Sequence, residues 1–161
     1  MKIALIILFF VITGSLREEY KKVSDKNIEE ILGSGEIKLI GNESGKEYFS
    51  FESENSNGGS MVVFSSAKGR YENFDYMVIT NSSVEILNIK ILKYRSEYGY
   101  EISNKGWLKQ FYKNPDSRFE YRKNISALSG ATFSAPSLVD DINIITDQLK
   151  KYRITGDFTA R

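Results

Sequence analysis

Phe74-Asp75-Tyr76-Met77-Val78-Ile79-Thr80, Asn81-Ser82-Ser83 and Val84-Glu85-Ile86-Leu87-Asn88-Ile89-Lys90-Ile91-Leu92 read in that order as strand, turn and strand. The two flanks are rich in β-branched and aromatic residues, and the polar triplet between them suits a tight reversal. Leu87, Ile89 and Ile91 fall on one strand face by the period of two. Upstream, Glu47–Phe51 and Ser60–Phe64 are further strand-like runs, separated by the turn signal Asn57-Gly58-Gly59. Downstream, Leu138, Ile142, Ile145, Leu149 and Tyr152 recur at steps of four and three. That spacing predicts a helix from about Pro136 to Tyr152 with one apolar stripe facing a sheet, and Pro136 suits its first turn. Asp140 and Asp141 are adjacent and do not share a helix face, so they read as first-turn acids complementing the helix dipole and not as a metal pair.

The remaining segments are consistent with this plan. Residues 17–32 read as a helix, with Ser24 capping a turn into Ile28, Ile31 and Leu32, and Gly33 ending it. A loop from Tyr94 to Asn104 leads into a short helix at Trp107–Phe111, which Lys113-Asn114-Pro115-Asp116 breaks. Residues 17–161 contain no repeat and no linker. The expected architecture is one α+β domain: a twisted antiparallel sheet with helices packed on it.

Residues 1–16 read differently. Lys2 precedes the apolar run Ile3–Ile12, then the small residues Thr13-Gly14-Ser15, then the charged Arg17-Glu18-Glu19. This is the plan of a secretory signal, and the run is short of the roughly 20 residues a spanning helix needs. A cleavable signal is favoured over an uncleaved N-terminal anchor. Either places residues 17–161 outside the cytoplasm, in the periplasm or on the outer face of the cytoplasmic membrane.

Composition narrows the chemistry. The 161 residues contain no Cys and no His. Disulfides, thiolate metal sites and thioether haem attachment are thereby excluded, as are a His-based hydrolase triad and a His-built zinc site. Any chemistry here belongs to a cofactor. Lys plus Arg is 22 and Asp plus Glu is 21, a net charge of +1 that offers no concentrated basic surface for nucleic acid. The basic run Arg118–Lys123 alternates with other residues and reads as a solvated face, or as a docking surface for a partner protein. An aromatic share of 13% fits a β-rich core, and equally some rings could stack on a planar ligand.

The segment that carries most information is Ser129-Gly130-Ala131-Thr132-Phe133-Ser134-Ala135-Pro136. It delivers hydroxyls and free backbone N–H groups to a helix N-terminus, where anions are favoured. Gly130 and Ala131 let the backbone come close to a ligand. The plainer alternative is that Ser134 or Ser137 simply caps the helix. About thirty residues earlier stands Tyr94-Arg95-Ser96-Glu97-Tyr98-Gly99-Tyr100-Glu101-Ile102, followed by Trp107-Leu108-Lys109-Gln110-Phe111.

The Ser-Gly-Ala-Thr-x-Ser run before an amphipathic helix resembles the flavinylation motif of the FMN-binding domain family, which includes the covalent-flavin subunits of the Rnf and Nqr ion-translocating complexes. The Glu97–Glu101 loop before a Trp-Leu-x-x-Phe helix resembles that family's ring-contacting loop in a shorter stand-alone form. The resemblance spans about residues 60–152. It implies FMN joined by a phosphoester to Thr132, taken from FAD by a separate magnesium-dependent FAD:protein FMN transferase. Ser129, Gly130, Ala131, Phe133 and Ser134 then surround the attachment point. Glu97, Tyr98, Gly99 and Tyr100 lie at the ring, with Trp107, which also reads as ordinary core, beside them. One position departs from the family: Ser126 stands where an Asp usually precedes the acceptor by six residues, so hydrogen-bonding capacity is kept and charge is lost.

With no His and no obvious dyad near it, Thr132 is a passive acceptor whose base comes from the transferase. The function so implied is an electron-transfer carrier with membrane or envelope redox partners. A reductase component of the envelope, and a non-redox binding module that has lost the flavin, are the alternatives.

Overall fold

Met61–Phe64 and Phe74–Thr80 are buried along their whole length, which a strand achieves only when both of its faces are covered. The computed structural model of the chain describes residues 14–54, 59–112 and 118–155, without the side chains of residues 154 and 155. In it β1 (Gly35–Glu43), β2 (Lys46–Ser53), β3 (Ser60–Lys68), β4 (Asn73–Thr80) and β5 (Ile86–Lys93) form one antiparallel sheet in the order β1-β2-β3-β4-β5. Four helices accompany it among the described residues: α1 (Leu16–Glu19), α2 (Lys21–Leu32), α3 (Lys105–Leu108) and α4 (Ser134–Thr155). The domain is α+β, as expected. Within the described residues no helix is long and apolar enough to cross a membrane. The segment 1–13, most of the Asn57-Gly58-Gly59 turn and the Lys113–Asp116 break lie outside the described residues.

Alternation along the central strands sends their side chains to two cores. Met61, Val63, Tyr76 and Val78 meet Leu138, Ile142, Ile145 and Leu149 of α4, the stripe expected from sequence. Val62, Phe64, Met77 and Ile79 meet Phe49, Phe51 and Ile28 of α2 on the other face. The 74–92 hairpin is present, and Asn81 makes its turn: its side-chain oxygen accepts from the N–H groups of Ser83 and Glu85, both at 2.9 Å. Leu87, however, does not share a face with Ile89 and Ile91. The register shifts between Ile79 and Thr80, and this bulge turns Leu87 to the opposite core.

Three further readings are corrected. The strand β1 was not expected; it is an edge strand with none of its nine residues buried, so it carries no strong apolar alternation. The 17–32 helix is divided at Tyr20, and Ser24 lies inside α2, where its hydroxyl donates back to the Tyr20 carbonyl at 2.9 Å and does not cap. The cap lies earlier. Ser15 accepts from the Glu18 N–H, and the buried Glu47 carboxylate takes the N–H groups of Leu16 and Arg17, each at 2.9 Å. Finally, α4 begins at Ser134, so Asp140 and Asp141 lie beyond its first turn. Asp140 is exposed, whereas Asp141 is the centre of a mostly buried cluster. It pairs with Lys46 Nζ at 2.6 Å and accepts from Tyr76 Oη at 2.5 Å and Ser65 Oγ at 2.7 Å.

A second buried acid fixes the loop after β5. Asp75 on β4 accepts from Tyr20 Oη at 2.6 Å and pairs with Arg95, whose other nitrogen donates to the Asn73 carbonyl at 2.9 Å. Burial pushes the Asp75 carboxyl up, but hydrogen bonds from Arg95, Tyr20 and Ser66 outweigh it and hold the group below its ordinary value. A carboxyl with a lowered folded value contributes stability that is fully present above its unfolded value, about 3.9, and is lost as pH falls through the folded value. Asp75→Asn is therefore expected to lower the melting temperature at neutral pH and to flatten the loss of stability on acidification below about pH 4. Thermal melts between neutral and acidic pH check this, and parallel curves for the two proteins would contradict it.

Candidate functional site

The two sequence motifs meet. Gly130 adopts a φ of +86°, and a Cβ built there would lie 2.4 Å from the Glu101 carboxylate. Gly99 adopts +98°, and its Cβ would lie 2.2 Å from Tyr94 Oη and 2.8 Å from Ser134 Oγ. Glycine takes up the left-handed backbone at both positions without the cost that a side chain would add. Tyr94 Oη completes the junction, accepting from Ser134 Oγ at 2.6 Å and donating to the Tyr98 carbonyl at 2.8 Å. Arg95, held by Asp75, anchors the same loop from the sheet side.

This junction separates the hydroxyls of the Ser129–Ser134 segment. Ser134 is 1% exposed and committed to Tyr94. Ser137 accepts from the Lys68 N–H at 3.0 Å. Neither caps α4, because each hydroxyl is taken by another element. Ser129 and Thr132 are exposed and hydrogen-bond to no described residue. Ala131 is buried and pulls the segment onto the core, so Thr132 stands outward between Ala131 and Ser134 as an accessible hydroxyl.

Three large exposed rings stand on the two joined segments. Tyr98 is 62% exposed, Tyr100 65% and Phe133 58%. Glu97 and Glu101 are exposed as well. Trp107 is placed differently: it is buried, packs edge-on against Phe111 at 5.4 Å, and donates to the Ser126 carbonyl at 2.8 Å. Gln110 accepts from the Ser126 N–H at 2.8 Å. Trp107 therefore supports the Ser126–Thr132 approach from beneath and presents no open ring face. In the basic run, Arg118 pairs with Asp147 at 3.6 Å and Lys123 with Glu120, both exposed as expected of a solvated face.

Tyr94 and Arg95 join the two motifs, a role that no local pattern in the loop marks. Arg70, in the turn after β3, is marked in sequence only as a basic residue next to an aromatic one.

The two glycines are not equivalent. At Gly130 the obstructing atoms are the end of an exposed Glu101 side chain, which can swing away. At Gly99 they belong to Tyr94, packed against Phe74 at 5.6 Å, and to buried Ser134. Gly99→Ala is expected to cost more than the roughly 1–2 kcal/mol of a left-handed residue with a side chain, because it also parts Tyr94 from Ser134. Gly130→Ala should stay within that backbone cost. Denaturant melts of the two variants order them, and a larger loss at Gly130 would contradict the junction described here.

No protein-family model and no curated protein matches this chain.

Proposed function

We propose that the chain is an exported electron-transfer domain that carries one FMN, covalently joined through a phosphoester to Thr132. The observation that carries this reading is the meeting of two motifs, distant in sequence, around a single accessible, unbonded threonine hydroxyl. The donor set suits a phosphoester. An outward hydroxyl can reach the site of a second enzyme, and the buried neighbour Ser134 cannot compete with it. The exposed rings of Tyr98, Tyr100 and Phe133 offer flat surfaces to an isoalloxazine, and the Glu97–Glu101 loop meets Gly130 and Ser134, which flank Thr132 in the chain.

Attachment balances as a group transfer. Thr132 Oγ1 forms a bond to the FMN phosphorus of FAD, the pyrophosphate P–O bond breaks, and AMP leaves. The hydroxyl proton goes to a base of the transferase, since the Thr132 hydroxyl hydrogen-bonds to no described base. The resulting phosphodiester holds the cofactor at high local concentration, and the bound ring then supplies the electron transfer. The partners proposed are the FAD:protein FMN transferase for maturation and redox proteins of the membrane or envelope.

Residues 15–17 belong to the fold through Glu47, so any removal of the apolar segment is expected to leave Ser15 in place. For the function itself, the full chain is co-expressed with the transferase and purified. The expected product is a yellow protein that dithionite bleaches and air restores, with the flavin retained after denaturation. A colourless product in FAD-replete cells means the non-redox module instead.

A further inference from the structure

Arg70 stands in the turn between β3 and β4, and its guanidinium carbon lies 5.2 Å from the centroid of the Tyr71 ring and 5.4 Å from that of Phe133. Both rings are themselves exposed, Tyr71 at 68%. Arg17, Arg95 and Arg118 spend their charges on Asp25, Asp75 and Asp147. Arg70 pairs with no carboxylate among the described residues. It is held instead over the ring that follows Thr132 in the chain, a weakly bound cation beside the proposed attachment point.

Its position is built and not incidental. The Lys68 N–H donates to Ser137 Oγ at 3.0 Å, which pins the end of β3 to α4. The Gly69 N–H donates to the Glu72 carbonyl at 3.0 Å, and a Cβ on Gly69 would lie 2.5 Å from that carbonyl, so the turn has one tight form. Between this turn and α4 lies an open cleft of about 680 Å³ whose wall includes Lys68, Arg70, Phe133, Ser137, Asp140 and Ile144. Asp141 also borders it, but Lys46 already neutralises that carboxylate. Two cations therefore face one unpaired acid, Asp140, and the cleft favours an anion.

We infer that Arg70 receives the negative charge of a flavin tethered at Thr132, leaving its stack on Phe133 to do so. This rests on the flavin reading above. A charge-assisted hydrogen bond to an anion is stronger than a solvent-exposed cation–π contact, so the exchange is favourable. Two parts of the tethered group can supply the charge. One is the phosphodiester, charged in every redox state. The other is the N1–C2=O edge of the ring after it has taken two electrons and one proton from a reductant.

The test uses the full chain co-expressed with the transferase, as wild type, Arg70→Gln, Arg70→Lys and Arg122→Gln. Arg122 is a control because its guanidinium also lies over a ring, that of Tyr121, but in the basic run. The midpoint potential, from dithionite titration, reads the ring. The phosphorus resonance of the attached group reads the phosphodiester. The inference expects Arg70→Gln to lower the potential, or to shift the phosphorus resonance, with Arg70→Lys partly restoring the wild-type value and Arg122→Gln changing neither. A flavin-loaded Arg70→Gln protein with both readouts unchanged overturns the inference and leaves the flavin reading standing. A wild-type protein without flavin overturns both.

Discussion

Thr132→Val is expected to give a folded protein with no covalent flavin when co-expressed with the transferase in FAD-replete cells. Valine keeps the β-branched shape and removes only the oxygen. Thr132 is exposed and bonded to no described residue, so the fold loses nothing with that oxygen. Ser134→Ala is expected to behave in the opposite way. It removes a buried hydroxyl that meets Tyr94 at 2.6 Å, at a cost of about 0.5–1.5 kcal/mol, and leaves the flavin attached. Thr132→Ser is expected to accept flavin at a fraction of the wild-type rate, because losing the methyl frees the rotamer and a shift of about 1 Å in a transfer site can cost on the order of a hundredfold. Denatured proteins on a gel under ultraviolet light report the result. Fluorescence from Thr132→Val would place the attachment elsewhere.

The largest loss of stability is expected at the Lys46–Asp141 pair. Asp141→Ala leaves the Lys46 ammonium mostly buried without its counter-charge, and strands the hydroxyls of Tyr76 and Ser65. Breaking such a pair from one side costs about 3–5 kcal/mol. For a domain of this length that lowers the melting temperature by roughly 6–20 °C, at about 2–4 °C per kcal/mol. Lys46→Met leaves the opposite charge unpaired and should cost nearly as much. The Lys46→Met/Asp141→Ala double variant is expected to recover part of the loss, since neither charge then remains to be desolvated. Calorimetry on the four proteins of the cycle reads the coupling, and additive losses would mean that the two charges do not depend on one another. The pair joins β2 to α4, so its loss should also loosen the helix that follows Thr132.

Much of this architecture could be read from local patterns. The 74–92 hairpin and the α4 stripe followed from periods of two and near 3.6, because each buries one continuous set of side chains. What escaped was non-local or weakly patterned. β1 is an exposed edge whose pairing comes from β2 and not from its own sequence. Leu87 was assigned by a period that a bulge interrupts. Asp141 looked like a helix-dipole residue because its partners, Lys46, Ser65 and Tyr76, lie on three different strands. At the site, the Ser129–Ser134 segment and the Glu97–Glu101 loop were legible as motifs, and their contact through Gly99 and Gly130 could not be seen without the fold. Trp107 carried no sequence mark to separate a ring contact from a core residue; its hydrogen bond to Ser126 and its burial set it beneath the loop.

The central claim is tested most directly by peptide mass spectrometry of the native protein recovered from the cell envelope. Trypsin should release Asn124–Lys150 as one peptide containing Ser126, Ser129, Thr132 and Ser134. The account predicts that this peptide carries the added mass of one phosphoester-linked FMN, and that fragmentation assigns it to Thr132. An unmodified peptide from cells that contain the transferase, or the same mass on another residue, would contradict it.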